Sequence, residues 1–379
     1  MVSLLSQSPA PLAQVTAEVT QKLAWMRQAL TETGAAAVRL RGIDWFAWAT
    51  AGASNIVLLA AETGVAEVLV TPTAAWILTD EIEAPRLRDE EIPPIADCYA
   101  LQVFPWAEPE AREAFVRQVT GAALVLSDRP IAPEQSLPAF LVQHKRTLLP
   151  SELDRYRRVC QLASSAMTEV LTQARPEWTE YQLAAAGAAA LWKRGIHPAL
   201  TLAAGERRLP LYRHATPSPE PLGQIAMLVF CARGFGLYAN LTRFVAFSPL
   251  TPAQEQLHHQ VRVIEAMMLN HCKLNMPLNQ IYLTLQRAYA VQGYPQAIHQ
   301  HHQGGTTGYL AREIVATPDT AELLLGNQAI AWNPSLPGAK IEDTFVLKQD
   351  GQLENLTFDA TWPNTEVNGR FRPLPLFRP

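Results

Sequence analysis

A short segment from His299 to Tyr309, HQHHQGGTTGY, places three histidines within four residues and directly before two glycines. Imidazole is the commonest metal ligand in proteins and also carries protons near neutral pH. Adjacent residues of a strand point to opposite faces, so His301 and His302 cannot easily hold one ion together. The segment alone leaves two interpretations open, a metal site or a polar loop with ordinary hydrogen bonds.

Composition limits the classes of function that need to be considered. The chain has 379 residues, of which 48% are hydrophobic, and this length predicts two domains. Its 31 Lys and Arg are scattered among 35 Asp and Glu without a basic stripe, which argues against nucleic-acid binding. Four separated cysteines predict reduced thiols. With neither a signal peptide nor an apolar run of membrane length, we expect a soluble, cytoplasmic protein without a membrane partner.

The first 145 residues alternate between helix and strand patterns and predict a small α/β domain. Amphipathic helices are expected from Val15 to Thr33 and near residues 110–119. The strand-like runs are AAVRL (36–40), NIVLLA (55–60), AEVLVT (66–71), AWILTD (75–80) and ALVLSD (123–128).

Residues 146–379 predict an α+β domain built from two similar halves, with helices outside a sheet. Capping-box patterns predict helix starts at Ser151/Asp154, Thr179/Gln182 and Thr251/Gln254, and a fourth helix is expected near 278–292. The predicted strands are 226–232, 236–247, 328–333, 342–348 and 354–358, the last two joined by a turn at 349–351.

Five segments in order resemble the creatinase/aminopeptidase P family, which has the pita-bread fold. They are the helix that opens the second domain, RHATPSPEPLGQIAMLVFCARGFGLYANLTR, HHQGGTTGY, AWNPSLPG and KIEDTFVL. KLAWMRQAL and IEAPRL are similar to the family's smaller N-terminal domain. The resemblance covers nearly the whole chain. It implies a creatinase-type α/β domain over 1–145, a pita-bread domain of curved antiparallel sheet over 146–379, and a homodimer.

The resemblance also implies that this sequence lacks most of the family's metal ligands. Metal-dependent members of the family bind two divalent cations through two aspartates, one histidine and two glutamates. The matching positions here are Val229, Asn240, Gly305, Asn333 and Glu342. Valine and glycine offer no ligand atom, and a neutral amide cannot balance a dication. We therefore expect neither a metal nor another cofactor.

Creatinase breaks a C–N bond without a metal, and its acid/base histidine matches His214 here. By this resemblance His214 is the predicted acid/base, His301 handles a proton or the substrate, and Glu342 orients the ligand. The predicted substrate-binding residues are Asn240, Arg243, His302, Arg312, Asn333 and Lys340. The predicted function is metal-independent hydrolysis of a C–N bond in a small amino-acid-like or guanidino compound, or a short peptide.

Two other classes of function remain open from the sequence. One is a binding or scaffold protein without catalysis, and the other is an Xaa-Pro aminopeptidase-like metallopeptidase with unorthodox ligands. Individual residues also have structural interpretations, since Glu342 could simply pair with Lys340 and His214 could bond to nearby backbone. Metal content after purification separates the metallopeptidase from its rivals.

Overall fold

The computed structural model describes residues 11–379 and separates into two compact units. One ends at Arg155 and the other runs from Tyr156 to Pro379. The division falls within a helix, Pro150–Gln173. The domain boundary predicted from the sequence, between residues 145 and 146, lies shortly before that helix.

The first unit is a mixed sheet with helices, as the alternating sequence pattern predicts. Its helices are α1 (Leu12–Thr33), α2 (Ile43–Ala49), α3 (Ala84–Arg86), α4 (Pro109–Thr120) and α5 (Ala139–Arg146). Its strands are β1 (Ala37–Gly42), β2 (Thr63–Val70), β3 (Ala75–Asp80), β4 (Ala100–Phe104), β5 (Val125–Ser127) and β6 (Gln135–Ser136), in the order β4-β3-β2-β1-β5-β6. Strands β1, β2 and β3 are antiparallel, and the outer pairings are parallel.

The second unit contains most of helix α6 (Pro150–Gln173) and the later elements. Its other helices are α7 (Glu180–Trp192), α8 (Pro252–Leu269) and α9 (Leu278–Val291). Its long strands are β7 (His197–Gly205), β8 (Ile225–Gly234), β9 (Leu237–Ala246), β11 (Gly304–Thr307), β14 (Gln328–Trp332) and β17 (Asp343–Leu347). The shorter ones are β10 (Met276–Pro277), β12 (Ile314–Val315), β13 (Leu323–Leu324), β15 (Ser335–Leu336), β16 (Ala339–Lys340), β18 (Leu353–Asn355), β19 (Asn364–Val367), β20 (Arg370–Pro373) and β21 (Leu376–Phe377).

Two main sheets organise this unit and carry the site. One has the order β21-β9-β8-β7 and the other β12-β11-β14-β17-β18. A bridge between Thr242 and Glu342 connects them, with the Thr242 amide donating to the Glu342 carbonyl at 3.0 Å. Helices α8 and α9 pack against the second sheet through an apolar core that includes Ile264, Ile281, Leu285, Ile330 and Phe345. This arrangement of helices outside a sheet confirms the predicted fold class.

None of the helices between residues 11 and 379 combines the length with the apolar character that a membrane crossing requires.

Two of the three predicted capping boxes are confirmed, at Thr179/Gln182 and Thr251/Gln254. The third, Ser151/Asp154, is wrong. Helix α6 begins at Pro150, and it is the Glu152 carboxylate that accepts a hydrogen bond from the Leu149 amide at 2.7 Å. The Ser151 hydroxyl instead donates to Glu18 at 2.5 Å. A tertiary contact with a charged acceptor has replaced the local one.

Two strand predictions also differ from the structure. NIVLLA forms an irregular surface segment in which Val57 and Leu58 are 62% and 67% exposed, although its composition is typical of a buried strand. Strand β7, in contrast, was not predicted from HPALTLAAG. Its proline and small residues hide the alternation, and pairing with β8 fixes its extended backbone.

Candidate active site

Alternate side chains of β8 and β9 point to one face of their sheet, and the candidate site lies on that face. In the β8/β9 pair, Val229 lies opposite Thr242, and Asn240 occupies the same face two residues earlier. The bridge to Glu342 brings the end of the β15/β16 hairpin to this face. His214 lies in the segment before β8, and the histidine-rich loop precedes β11.

Glu342 is the centre of a buried charge cluster. One carboxylate oxygen accepts from the Lys340 ammonium at 2.5 Å, and the other accepts from the Arg312 guanidinium at 2.6 Å. The Lys340 ammonium also donates to the Thr242 hydroxyl at 2.9 Å. Glu342 is only 2% exposed, so solvent cannot replace these cations as partners of its two oxygens. Lys340 and Arg312 thus fix the position of the carboxylate, which is not free to bind a cationic ligand.

Three imidazoles gather beside this cluster. The ring centroid of His214 lies 6.2 Å from that of His301 and 5.7 Å from that of His302. His214 and His302 are exposed and His301 is partly buried, so the group is open to a ligand on one side. The structure therefore brings together the predicted residues His214, His301, His302, Arg312, Lys340 and Glu342.

Burial and the nearby cations favour the neutral form of these histidines. Partial burial lowers the pKa of His214, and the charges of Lys340 and Arg312 lower it further, against an opposing effect of Glu342. Burial also lowers the pKa of His301, to about 3. A neutral imidazole can accept a proton, so His214 is prepared to act as a base near neutral pH.

His301 forms a serine–histidine hydrogen bond that the sequence did not indicate. Its Nδ1 contacts the His302 carbonyl, which requires a proton on Nδ1 and leaves Nε2 as the acceptor. The Ser335 hydroxyl therefore donates to Nε2 across 2.7 Å. Ser335 faces Lys340 across the β15/β16 hairpin. The only sequence signal for Ser335 is the spacing within AWNPSLPGAK, where a tight turn brings the chain back on itself.

The two predicted binding asparagines, Asn240 and Asn333, are not members of the Glu342 charge cluster. The Asn240 amide nitrogen donates to Thr307 at 3.0 Å, while its oxygen has no partner in the described part of the chain. The oxygen of the buried Asn333 amide likewise has none. Both amides could accept hydrogen bonds from a ligand.

Arg243 does not join the site, because it follows Thr242 and points to the opposite face of β9. Its guanidinium pairs with Asp343 at 2.7 Å. Arg372 also contacts Asp343, at 2.8 Å, and pairs with Glu265 at 2.5 Å. Arg243 thus belongs to a second buried charge cluster that the sequence did not predict.

Comparison with known proteins identifies the family. The model of metallopeptidase family M24 matches residues 154–349, which is just over half of the chain. The chain belongs to metallopeptidase family M24. No curated protein sequence matches it.

Solved structures agree on the M24 fold at low sequence identity. An Xaa-Pro dipeptidase from Bacillus anthracis has a TM-score of 0.74 and 16% identity, and the alignment covers 95% of this chain and 100% of that one. The prolidase from Pyrococcus horikoshii OT3 has a TM-score of 0.74 and 15% identity over 89% and 98% of the two chains. The N-terminal domain of the FACT complex subunit SPT16 from Cicer arietinum has a TM-score of 0.69 and 11% identity over 92% and 97%.

The metal pair implied by the M24 fold does not fit the residues present. Val229 lies in an apolar cluster with Met227 and Phe244. Asn240 and Asn333 offer only neutral oxygens, and Glu342 is saturated by two cations that would repel a third. Across residues 11–379, no three His, Cys, Asp or Glu side chains are arranged to hold a metal ion.

Gly305, which the resemblance places at the family's histidine position, leaves no room even for a methyl group. Gly305 has φ +152°, and a Cβ there would lie 2.0 Å from the Ile314 carbonyl oxygen. A histidine at this position would require the β11/β12 backbone to move.

Acid is expected to destabilise the second unit through Glu342. Burial opposes its ionisation, but the charges and hydrogen bonds of Lys340 and Arg312 outweigh burial and lower its pKa from 4.5 to about 2. Since the folded pKa lies below the unfolded one, this contribution is full above the unfolded pKa and is lost as pH falls toward 2. The difference corresponds to about 3 kcal/mol.

Urea unfolding of the wild type and of Glu342→Gln, between about pH 5 and about pH 2, measures this contribution. The wild type should lose unfolding free energy more steeply than the variant. Parallel pH dependences would contradict the assignment.

Proposed function

We propose that this M24 member is a metal-independent hydrolase that uses His214 as its acid/base. Its substrate would be a small amino-acid-like or guanidino compound, or a short peptide, containing a C–N bond. The observation that carries the proposal is the group of accessible, neutral imidazoles beside a carboxylate whose oxygens hold Lys340 and Arg312. The site is thereby suited to proton transfer and unsuited to dications.

The proposed reaction needs only water and proton transfer. Neutral His214 accepts a proton from water as the water oxygen forms a bond to the substrate carbon. The C–N bond then breaks, and His214 returns the proton to the leaving nitrogen. In this scheme Glu342 holds the two cations in place and does not touch the substrate.

Substrate binding would use the polar atoms that remain free. The buried oxygens of Asn240 and Asn333 can accept hydrogen bonds from an amine or amide N–H. His302 is exposed and can contact the same ligand, and His301 is oriented by the Ser335 hydroxyl. Arg243 is not part of this binding set, because Asp343 already occupies its guanidinium.

The test combines metal analysis with turnover of a panel of proline dipeptides and guanidino acids. Chelator-treated protein should retain its activity, and His214→Asn should lower kcat/KM by about 100-fold or more. His271→Asn, which changes an exposed histidine on a different surface segment, is the control and should remain active. Inactivation by chelator with recovery in Mn²⁺, Co²⁺ or Zn²⁺ would favour the metallopeptidase, and full activity of His214→Asn would exclude its proposed role.

A binding protein without catalysis is the second candidate. It is favoured by the commitment of both Glu342 oxygens to Lys340 and Arg312, because a carboxylate held in this way cannot assist His214 in proton transfer. A compound of the panel that raises the melting temperature without being converted would support this function.

The homodimer and the cytoplasmic location stay predictions. Light scattering of the purified protein measures the first, and fractionation of the source cells measures the second.

A further inference from the structure

A second cleft in the C-terminal unit lies between the first half of α8 and the terminal strand β21. Its volume is about 580 Å³, within the range typical of small-molecule sites. One side is apolar, with Pro249, Leu250, Leu374, Pro375 and Phe377. The other side carries Glu255, His258, His259 and Arg262 from helix α8.

Arg262 is a buried cation without a counter-charge. The residue is 7% exposed, its Nε has no hydrogen-bond partner, and its guanidinium forms no ion pair within residues 11–379. The charged group that acts on it is Arg372, also a cation, and both acids nearest Arg372 are engaged by that arginine. Burial and Arg372 lower the pKa of Arg262 to about 10, so it keeps its charge at neutral pH. A buried, unpaired charge is costly unless a ligand balances it.

His258 supplies a second polar atom at the same place. It is 4% exposed, its ring packs edge-on against Phe244 at 4.7 Å, and its Nε2 has no partner in the described structure. Burial and the charge of Arg262 lower its pKa to about 3, so the ring is neutral and can donate one N–H. The other titratable groups of the cleft, Glu255 and His259, are exposed on the same helix.

A small cavity adjoins the cleft and shares His258 and Arg262 with it. Its volume is about 10 Å³, room for about one water molecule. A water can satisfy a hydrogen bond of the guanidinium, but it cannot balance the charge. The charge therefore points to an anion, and the apolar wall points to a hydrophobic body attached to it.

We propose that this cleft binds a small organic anion, namely a carboxylate on an apolar body, with Arg262 as its charge partner and His258 as a second donor. The lining of the cleft includes none of the three histidines of the candidate active site, and the proposal does not depend on the hydrolase activity. A planar guanidinium matches a carboxylate through two parallel hydrogen bonds, which gives the head group its orientation.

The test is a thermal-shift and calorimetric titration of the full chain with octanoate. Octanamide is the neutral probe of the same shape, and inorganic phosphate is an anion without the apolar body. Octanoate should raise the melting temperature and bind at least 10-fold more tightly than either probe. Equal binding of octanamide, or of phosphate, would overturn the proposal, as would no binding of octanoate.

Variants identify the charge partner. Arg262→Met should weaken octanoate binding by at least 10-fold while raising the melting temperature of the ligand-free protein, because an unbalanced buried charge is removed. Arg262→Lys keeps the charge and should bind with intermediate affinity. Arg287→Met removes an exposed arginine from α9 and should leave octanoate binding unchanged. Undiminished binding by Arg262→Met would exclude Arg262 as the charge partner. A lower melting temperature of the ligand-free variant would show that the protein itself already balances this charge, which also contradicts the proposal.

Discussion

Replacing Glu342 with glutamine should lower the unfolding free energy of the second unit by about 3 to 5 kcal/mol. The change removes one negative charge and leaves the Lys340 ammonium and the Arg312 guanidinium without a counter-charge beside each other. Removing one partner of a buried ion pair is far more costly than removing the whole set, because the remaining charges stay desolvated. Urea unfolding at neutral pH measures the loss as a lower midpoint.

Two variants separate this effect from the general cost of losing an ion pair. Glu354→Gln breaks the partly exposed pair with Arg157 and should lower stability by at most about 1 kcal/mol. The double variant Lys340→Met/Glu342→Gln should recover part of the stability lost by Glu342→Gln alone, since one unbalanced cation is removed with the carboxylate. A loss from Glu342→Gln no greater than that from Glu354→Gln would contradict the buried cluster.

Replacing Gly305 with alanine should lower the unfolding free energy by about 3 kcal/mol or more. The added Cβ would lie 2.0 Å from the Ile314 carbonyl oxygen and 3.0 Å from the Ala316 amide nitrogen. Both contacts are backbone atoms, so relief requires β11 and β12 to separate. Thermal and urea unfolding measure the loss.

Gly293→Ala is the matched control in the same unit. Gly293 also has a positive φ, of +88°, but a Cβ there meets nothing within 4 Å. Gly293→Ala should lower the unfolding free energy by about 1 kcal/mol, because only the backbone conformation is disfavoured. If the two alanine variants lose equal stability, steric closure of position 305 is wrong, and the argument against a histidine there fails with it.

The order of the motifs was sufficient to predict the fold from the sequence. Helices with two good capping boxes, long apolar strands and a hairpin at residues 349–351 are all local patterns, and the structure has each of them. Local patterns failed where a surface segment has the composition of a strand, as in NIVLLA, and where Glu152 rather than Ser151 caps α6. At the start of α6 the deciding contact is a distant one, because the Ser151 hydroxyl donates to Glu18.

The sequence alone also carried the prediction of missing metal ligands, because the resemblance places Val229, Gly305, Asn240 and Asn333 at ligand positions and the type of a side chain does not depend on packing. It could not determine how Glu342 is occupied, since Arg312 is distant from it in the chain and meets it only through the sheet. The sequence also could not show that Arg243 points away from the site or that Ser335 bonds to His301. It gave no sign that Arg262 lacks a counter-charge. Each of these depends on strand register, on the face to which a side chain points, and on burial, and only the tertiary structure decides them.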